Sequence, residues 1–330
     1  MMNMRRLSLP SMDFSALKNR IDWVKAGKVV TFGLLAAAAV MIIFYARNID
    51  WNAVARALKS YSAREIAFAG ALTACSFLTY SCFDLFGRHY TGYELRTARV
   101  MLITAISYAF NLTLGSIVGA AGMRLRLYQQ IGVKAGDVGR IILISVGINW
   151  LGYALVAGVL FVAGLIQLPP DWEVNARTLP ILGWALIAVV ASYIGASIFY
   201  GDRGFTVRGR EVCLPKTGAA VLQLVLASCN WMIMGGVLYC LMQQKVTYAL
   251  TLAVVMVSSV AGIISRIPGG IGVLEAVSIA ILAPQLTEAR VLAGVLAYRA
   301  IYYLAPLVLA TGGFLALQAA DRGQAASAAE

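Results

Sequence analysis

The chain has 330 residues, of which 60% are hydrophobic and 13% charged, with a formal net charge of +12 and a mean hydropathy of +0.78. So much apolar sequence has no place in a soluble core, which makes the bilayer the solvent of the fold. The basic residues sit in short loops between apolar runs, so they are read as orientation signals and headgroup contacts, and no nucleic-acid partner is expected.

Residues 1–28 form a basic tail carrying Arg5, Arg6, Lys18, Arg20, Lys25 and Lys28. The first uncharged run, Val29 to Ala46, is expected to stay as an anchor, because Tyr45 to Trp51 lacks a small-residue cleavage pattern. Like the runs that follow, it is long enough for a hydrocarbon layer of about 30 Å, which needs roughly 20 helical residues. Ile66 to Phe83 is the second run, and Asp84 at its inner end is expected to pair with Arg88 four residues on.

The third run, Val100 to Met123, contains a break, Asn111-Leu-Thr113-Leu-Gly115-Ser-Ile-Val-Gly119-Ala-Ala-Gly122. A helix from Val100 to Phe110 would rise about 16 Å and stop at mid-bilayer. Arg124-Leu-Arg126-Leu-Tyr128 follows, placing two cations at the mouth of this segment, where forked guanidinium groups match headgroup phosphates. Ordinary membrane anchoring explains the same residues. Ile141 to Pro170 and Thr178 to Gly201 are the next runs, then Thr217 to Gln244. Asn149, Trp150 and Asn230 on these spans offer either cavity lining or interhelical hydrogen bonds. Between the last two, Asp202 to Lys216 reads as a small β-hairpin around Gly209, too short for an enzyme domain.

The run Val246 to Ser265 leads into the stronger break, Ser265-Arg266-Ile-Pro268-Gly269-Gly270-Ile-Gly272. Proline removes a backbone donor and the glycines leave the backbone unshielded. Such backbone is tolerated at membrane depth only when it is buried in protein or faces a wet cavity. Its leading helix, Thr247 to Ile264, is expected to be the longer of the two arms. Arg266, Glu275 and Arg299 are intramembrane charges, each costing several kcal/mol unless paired or hydrated. Glu275 is expected to neutralise one of the arginines, either as a structural pin or within a substrate site, with Tyr303 nearby. As the one acid read well inside a membrane segment, it is also the proton-coupling candidate. Helix starts near Gly122 and Ile271 would aim amides and positive dipole ends at anions. Ala300 to Ala320 is the last run, followed by a tail at 321–330.

Loop charges decide orientation. If the third run and the Val246 to Ala283 segment both return to the side they came from, 18 Lys and Arg lie on the cytoplasmic side and 7 outside, with Arg266 and Arg299 in the membrane. A simple crossing gives no bias. The expected fold is therefore an all-α polytopic membrane protein with six full spans and two opposed re-entrant hairpins, at about 100–123 and 247–283. These lie in one membrane domain, 29–320, with both termini cytoplasmic. The two breaks, with Asp137-Val-Gly-Arg140 and Glu288-Ala-Arg290 downstream, read as an inverted repeat, the arrangement of transporters whose broken helices meet near the midplane. Close packing by glycine alone is the plainer account.

Ala109-Phe-Asn-Leu-Thr-Leu-Gly115, Gly122-Met-Arg-Leu-Arg-Leu-Tyr128, Asn149-Trp-Leu-Gly-Tyr153, Asn230-Trp-Met-Ile-Met-Gly235, Ile267-Pro-Gly-Gly-Ile-Gly-Val-Leu-Glu275 and Leu296-Ala-Tyr-Arg-Ala-Ile-Tyr-Tyr303 resemble YbhN-type inner membrane proteins. The resemblance runs from about Lys28 to Leu317. More distantly the chain is similar to the flippase-like membrane domain of lysylphosphatidylglycerol synthases. The resemblance implies lipid translocation between leaflets of a bacterial inner membrane. It is not expected to extend to lysine transfer, since the synthases' aminoacyltransferase domain has no counterpart in these 330 residues.

Three functions compete: a translocase of an anionic phospholipid or lipid-linked anion, a non-transporting scaffold or accessory subunit in envelope lipid metabolism, and a lipid-headgroup enzyme. The enzyme reading ranks last because no nucleophile–base pair, paired-carboxylate signature or nucleotide-binding loop is present. His89 stands without metal-ligand neighbours, and the five cysteines read as reduced packing residues, so no cofactor is expected. Anionic membrane lipids are the expected partners, with a second copy of the chain or an envelope lipid-synthesis protein as the expected protein partner.

Overall fold

The computed structural model describes residues 40, 52, 56, 59–165, 178–201, 204–207, 210–265, 267–282 and 284–327. The basic tail, nearly all of the first run, Pro170, Arg208 and Arg266 lie outside the described residues. Among those described, seven helices are long and apolar enough to cross a membrane.

Helix α1 (Ala63–Ser81) opens with a capping box in which the Glu65 carboxylate accepts from the Ser62 backbone at 2.7 Å and the Glu65 N–H donates back to Ser62 Oγ at 3.2 Å. After Cys82 it continues as α2 (Phe83–Thr91), which stops at Gly92 with φ 72°. Helix α3 (Thr97–Leu114) ends at Gly115, whose φ of 83° and ψ of 174° fall in a region essentially reserved for glycine. The chain then winds as a wider π-helix over Ser116–Gly122 and enters α4 (Met123–Gln130). It turns back directly on α3: a Cβ at Gly119 would run into the Phe110 carbonyl.

Two expectations change here. The first arm does not stop at Phe110: α3 has 18 residues, so it rises about 27 Å rather than reaching only mid-bilayer. The arms are also equal, since α8 (Tyr248–Ser265) has 18 residues too. Asn111 and Thr113 lie within the helix and do not end it. The Thr113 hydroxyl donates to the Ala109 carbonyl within the same helix.

Helix α5 (Ala135–Val162) packs on α6 (Thr178–Tyr200) where Gly158 and Gly183 bring the two backbones together. The expected hairpin follows, β1 (Gly204–Val207) antiparallel to β2 (Arg210–Cys213), with Phe205 opposite Val212. Helix α7 (Thr217–Leu241) is central and packs against α1, α5 and α8. After α8, Pro268–Gly270 makes a single 3₁₀ turn with Gly269 at φ 65°, followed by Gly270 at 56° and Gly272 at 80°. Helix α9 (Val273–Leu282) has 10 residues and rises only about 15 Å, so it cannot cross. Helix α10 (Glu288–Tyr298), a second π-helix (Arg299–Leu304) and α11 (Ala305–Ser327) complete the chain.

The loop before α3 and the start of α5 meet at Tyr93, whose hydroxyl donates to Asp137 at 3.1 Å and accepts from the Lys134 N–H at 3.2 Å. At the other end of the α1–α2 stretch, Tyr61 donates to the Leu241 carbonyl at 2.6 Å. There, Met242 and Val246 before α8 share one buried cluster with Leu286 after α9. Ile181, Trp184, Phe199 and Leu309 are exposed outward, as a hydrocarbon solvent permits. Cys75, Cys82, Cys229 and Cys240 are free thiols.

The fold-back at the first break generates a stability prediction. Gly119→Val should cost about 1–3 kcal/mol through overpacking, and Gly115→Ala about 1–3 kcal/mol through backbone strain. Gly139→Ala, a helical position with open space around it, should leave the melting temperature unchanged or slightly raised. Thermal melts in detergent separate the three, and an unchanged melt for Gly119→Val would refute the close approach.

Candidate functional site

The second break is held from behind by one side chain. Arg299 opens the π-helix, is 1% exposed, and donates through Nε and Nη2 to the two carboxylate oxygens of Glu275 at 2.5 and 2.8 Å. Its Nη1 and Nη2 also donate to the carbonyls of Gly269 and Gly270 at 3.1 and 2.7 Å. The guanidinium fork thus makes a bidentate pair and serves backbone carbonyls of the break. The Tyr303 ring lies 5.5 Å from the guanidinium carbon. Glu275 is neutralised as expected, by Arg299. It also stands in the first turn of α9, so this helix end already faces an anion of the protein's own.

At the first arm the expected pairing of Asp84 with Arg88 is not found. Asp84 is fully buried and accepts from Arg124 Nε at 2.9 Å, from the Tyr128 hydroxyl at 3.0 Å and from the Ser145 hydroxyl. Arg88 instead donates to the Leu95 carbonyl at 2.6 Å and to Thr97 at 3.1 Å, fastening the loop before α3. A carboxylate removed from water takes the partner buried with it, and the fold-back of α4 brings Arg124 to it. Arg124 is 0% exposed and so does not line an open mouth. Its Nη1 and Nη2 atoms have no hydrogen-bond partner. Arg126 is half-buried over the Phe314 ring at 6.0 Å. Asp84 is therefore an interior acid alongside the partly buried Glu275.

Tyrosines join the two ion pairs. The Arg124 guanidinium lies 5.7 Å from the Tyr80 ring, and Tyr80 stacks on Tyr108 at 3.8 Å. The Tyr108 hydroxyl is 3.0 Å from that of Tyr302, which is 2.6 Å from the Ser76 hydroxyl. Ser76 donates to Asn230 Oδ1 at 2.7 Å. Tyr302 stacks on Tyr298 at 5.2 Å. Asn230 is thus brought into the network, while Asn149 contributes only its carbonyl to Trp231 Nε1 at 3.0 Å, and Trp150 is exposed beside Tyr153. Sequence reading missed Ser76, Tyr80, Tyr108, Tyr298 and Tyr302. The one available signal was the four-residue spacing of Tyr298 and Tyr302, which puts both on one helical face.

Beside the break lies a small open-mouthed cavity of about 40 Å³, its polar lining made by Ser258, Ser259, Gly269, Gly270, Tyr298 and Tyr303. Apolar side chains of α7, α8 and α9 complete it, and none of its lining residues comes from the first break. The two breaks therefore do not supply equal halves of this cavity, although α3 packs against the second break. Gly115 and Gly270 have open space where a Cβ would go, so their glycines answer to positive φ rather than to close backbone approach. Among the described residues no group of three metal-ligand side chains occurs.

Residues 30–310 match the family described as the lysylphosphatidylglycerol synthase TM region. Inner membrane protein YbhN of Escherichia coli strain K12 is 41% identical over 302 residues, covering 91% of this chain and 95% of that protein. A Synechocystis protein described as uncharacterized is 27% identical over 308 residues, covering 90% of this chain and 95% of that one.

Breaking either buried pair from one side leaves an uncompensated charge. Glu275→Gln and Asp84→Asn should each cost about 3–5 kcal/mol, with partial recovery in the double variants Glu275→Gln/Arg299→Met and Asp84→Asn/Arg124→Met. Detergent melts check this, and a wild-type melt for either single variant would remove the ion pair's structural role.

Proposed function

The chain belongs to the lysylphosphatidylglycerol synthase transmembrane-region family, and from that premise we propose that it moves an anionic phospholipid or lipid-linked anion between the leaflets of a bacterial inner membrane. The observation that carries this reading is a glycine break within a membrane segment, fixed by a buried Arg299–Glu275 pair at the wall of a cavity. Irregular backbone at membrane depth is tolerated only inside protein or against a cavity, and it recurs where transporters bind substrate.

Both broken segments are re-entrant hairpins entering from opposite faces, related as an inverted repeat. Support comes from the ends of the first: the loop before it is hydrogen-bonded through the Tyr93 hydroxyl to the Lys134 N–H that follows α4. Both termini lie in the cytoplasm, a reading supported by the loop charges, which put 18 basic residues inside and 7 outside. Arg126, half-buried on α4, supports an anionic substrate, because a guanidinium fork suits phosphate. Lipids are the partners, and no catalysis is assigned to the membrane domain.

A second reading, a non-transporting scaffold in envelope lipid metabolism, is favoured by one observation: each of these buried arginines already has a carboxylate of its own.

In proteoliposomes holding headgroup-labelled phosphatidylglycerol, cardiolipin or isoprenoid phosphate, the protein should make inner-leaflet label accessible to an external quencher. Gly115→Leu and Gly270→Leu should abolish that signal while insertion persists. Silence across the whole panel moves the assignment to the scaffold. For topology, single cysteines at the exposed positions Gln130 and Gln244 should react with an impermeant reagent from opposite sides of the membrane. Reaction from the same side would end the opposed-hairpin arrangement.

A further inference from the structure

The cavity beside the second break holds two polar atoms that the protein itself leaves unserved. Ser258 Oγ on α8 and the Tyr298 hydroxyl on α10 both belong to lining residues, both are buried, and neither has a hydrogen-bond partner. Ser258 is 9% and Tyr298 1% exposed. Buried hydroxyls in native proteins are nearly always satisfied, so a pair left open on one cavity wall indicates a missing partner. Ser259, on the same wall, donates to the Val255 carbonyl at 2.8 Å and keeps its acceptor capacity.

The charge at this wall decides what that partner is. No lining residue is charged. Among the described residues, the cation at the break is Arg299, which is matched by Glu275 across two hydrogen bonds and is further engaged by the Gly269 and Gly270 carbonyls. A phosphate seated here would lose its hydration against a wall of no net charge, and an ammonium group would do the same. A hydroxyl both donates and accepts, as do Ser258 and Tyr298, so hydroxyl groups satisfy this wall without importing charge.

We propose that this cavity is a subsite for the uncharged, hydroxylated part of a lipid headgroup, a polyol or sugar, recognised by Ser258 and Tyr298, with any phosphate held elsewhere. The assignment rests on the translocase reading and deepens it by naming the headgroup chemistry that this wall selects.

Binding to the purified full chain would be measured by native mass spectrometry and lipid-induced melting shifts. The probes are phosphatidylglycerol, a hexosyl diacylglycerol and phosphatidylmethanol, the last matching phosphatidylglycerol in charge but lacking headgroup hydroxyls. The wild-type chain should prefer one or both hydroxylated lipids over phosphatidylmethanol by about tenfold, because a site built for hydroxyls penalises their loss. Preference for phosphatidylglycerol alone assigns a glycerol headgroup, and preference for the hexosyl lipid alone assigns a sugar. Ser258→Ala/Tyr298→Phe should erase the preference without lowering the lipid-free melting temperature, since the deleted hydroxyls have no partner to lose. Ser258→Ala alone, should the double variant fold poorly, should reduce the preference several-fold. Equal binding of all three lipids by the wild-type chain, or a preference that survives the substitutions, overturns the subsite and leaves transport untouched. Hydroxyl-dependent binding with no transport of any lipid overturns the translocase reading instead.

Discussion

Everything around the second break depends on what Arg299 does with its donors. Unpaired carbonyls at membrane depth cost several kcal/mol each, and so does an isolated guanidinium. Placed together they resolve one another: the Gly269 and Gly270 carbonyls accept from Arg299 while Glu275 balances its charge. The result ties the break, the first turn of α9 and the start of the second π-helix into one unit. The chain can therefore abandon regular helix between α8 and α9 without exposing backbone to lipid, and a cavity can form there.

The first arm solves a related problem with the roles reversed. Its centre is a carboxylate, Asp84, that gathers Arg124, Tyr128 and Ser145 from α4 and α5. Here the break is only one residue wide, because Gly115 turns the chain and the π-helix resumes hydrogen bonding at once. No guanidinium has to serve backbone carbonyls. That difference explains why Arg124 retains unpaired nitrogens while Arg299 is fully engaged with groups around it. Between the two lies the tyrosine chain, in which Tyr80 and Tyr108 stack and Tyr108 and Tyr302 share hydrogen-bonding hydroxyls. These rings give the two ion pairs a continuous physical connection.

The sequence disclosed the spans because hydrocarbon imposes a length and a composition that cannot be disguised. It disclosed the second break because proline and clustered glycine interrupt a helix wherever they stand, and Arg299 and Glu275 because charge in an apolar run demands a partner. Asp84 was misassigned for a reason equally physical. Arg88 is one helical turn away, whereas Arg124 is 40 residues distant and becomes a neighbour only after α3 and α4 fold back. The glycines were found and their purpose partly misread, since spacing cannot tell a positive-φ position such as Gly115 from a crowded one such as Gly119. Tyr80, Tyr108 and Ser76 were invisible for the same reason as Arg124: each is an ordinary membrane-helix residue until tertiary contact gives it a partner.

A balanced interior constrains how an anion could pass. Both buried arginines described here are already neutralised, so a phosphate entering as an additional charge would leave the core with an unmatched ion. Under the translocase reading one carboxylate has to yield its arginine, either by moving away or by taking up a proton. The two pairs are not equally able to do so. Asp84 is wholly buried and accepts from three side chains, whereas the Glu275 side chain is 21% exposed and is held by Arg299. The pair at the second break is therefore the one built to open, and the pair at the first arm the one built to hold.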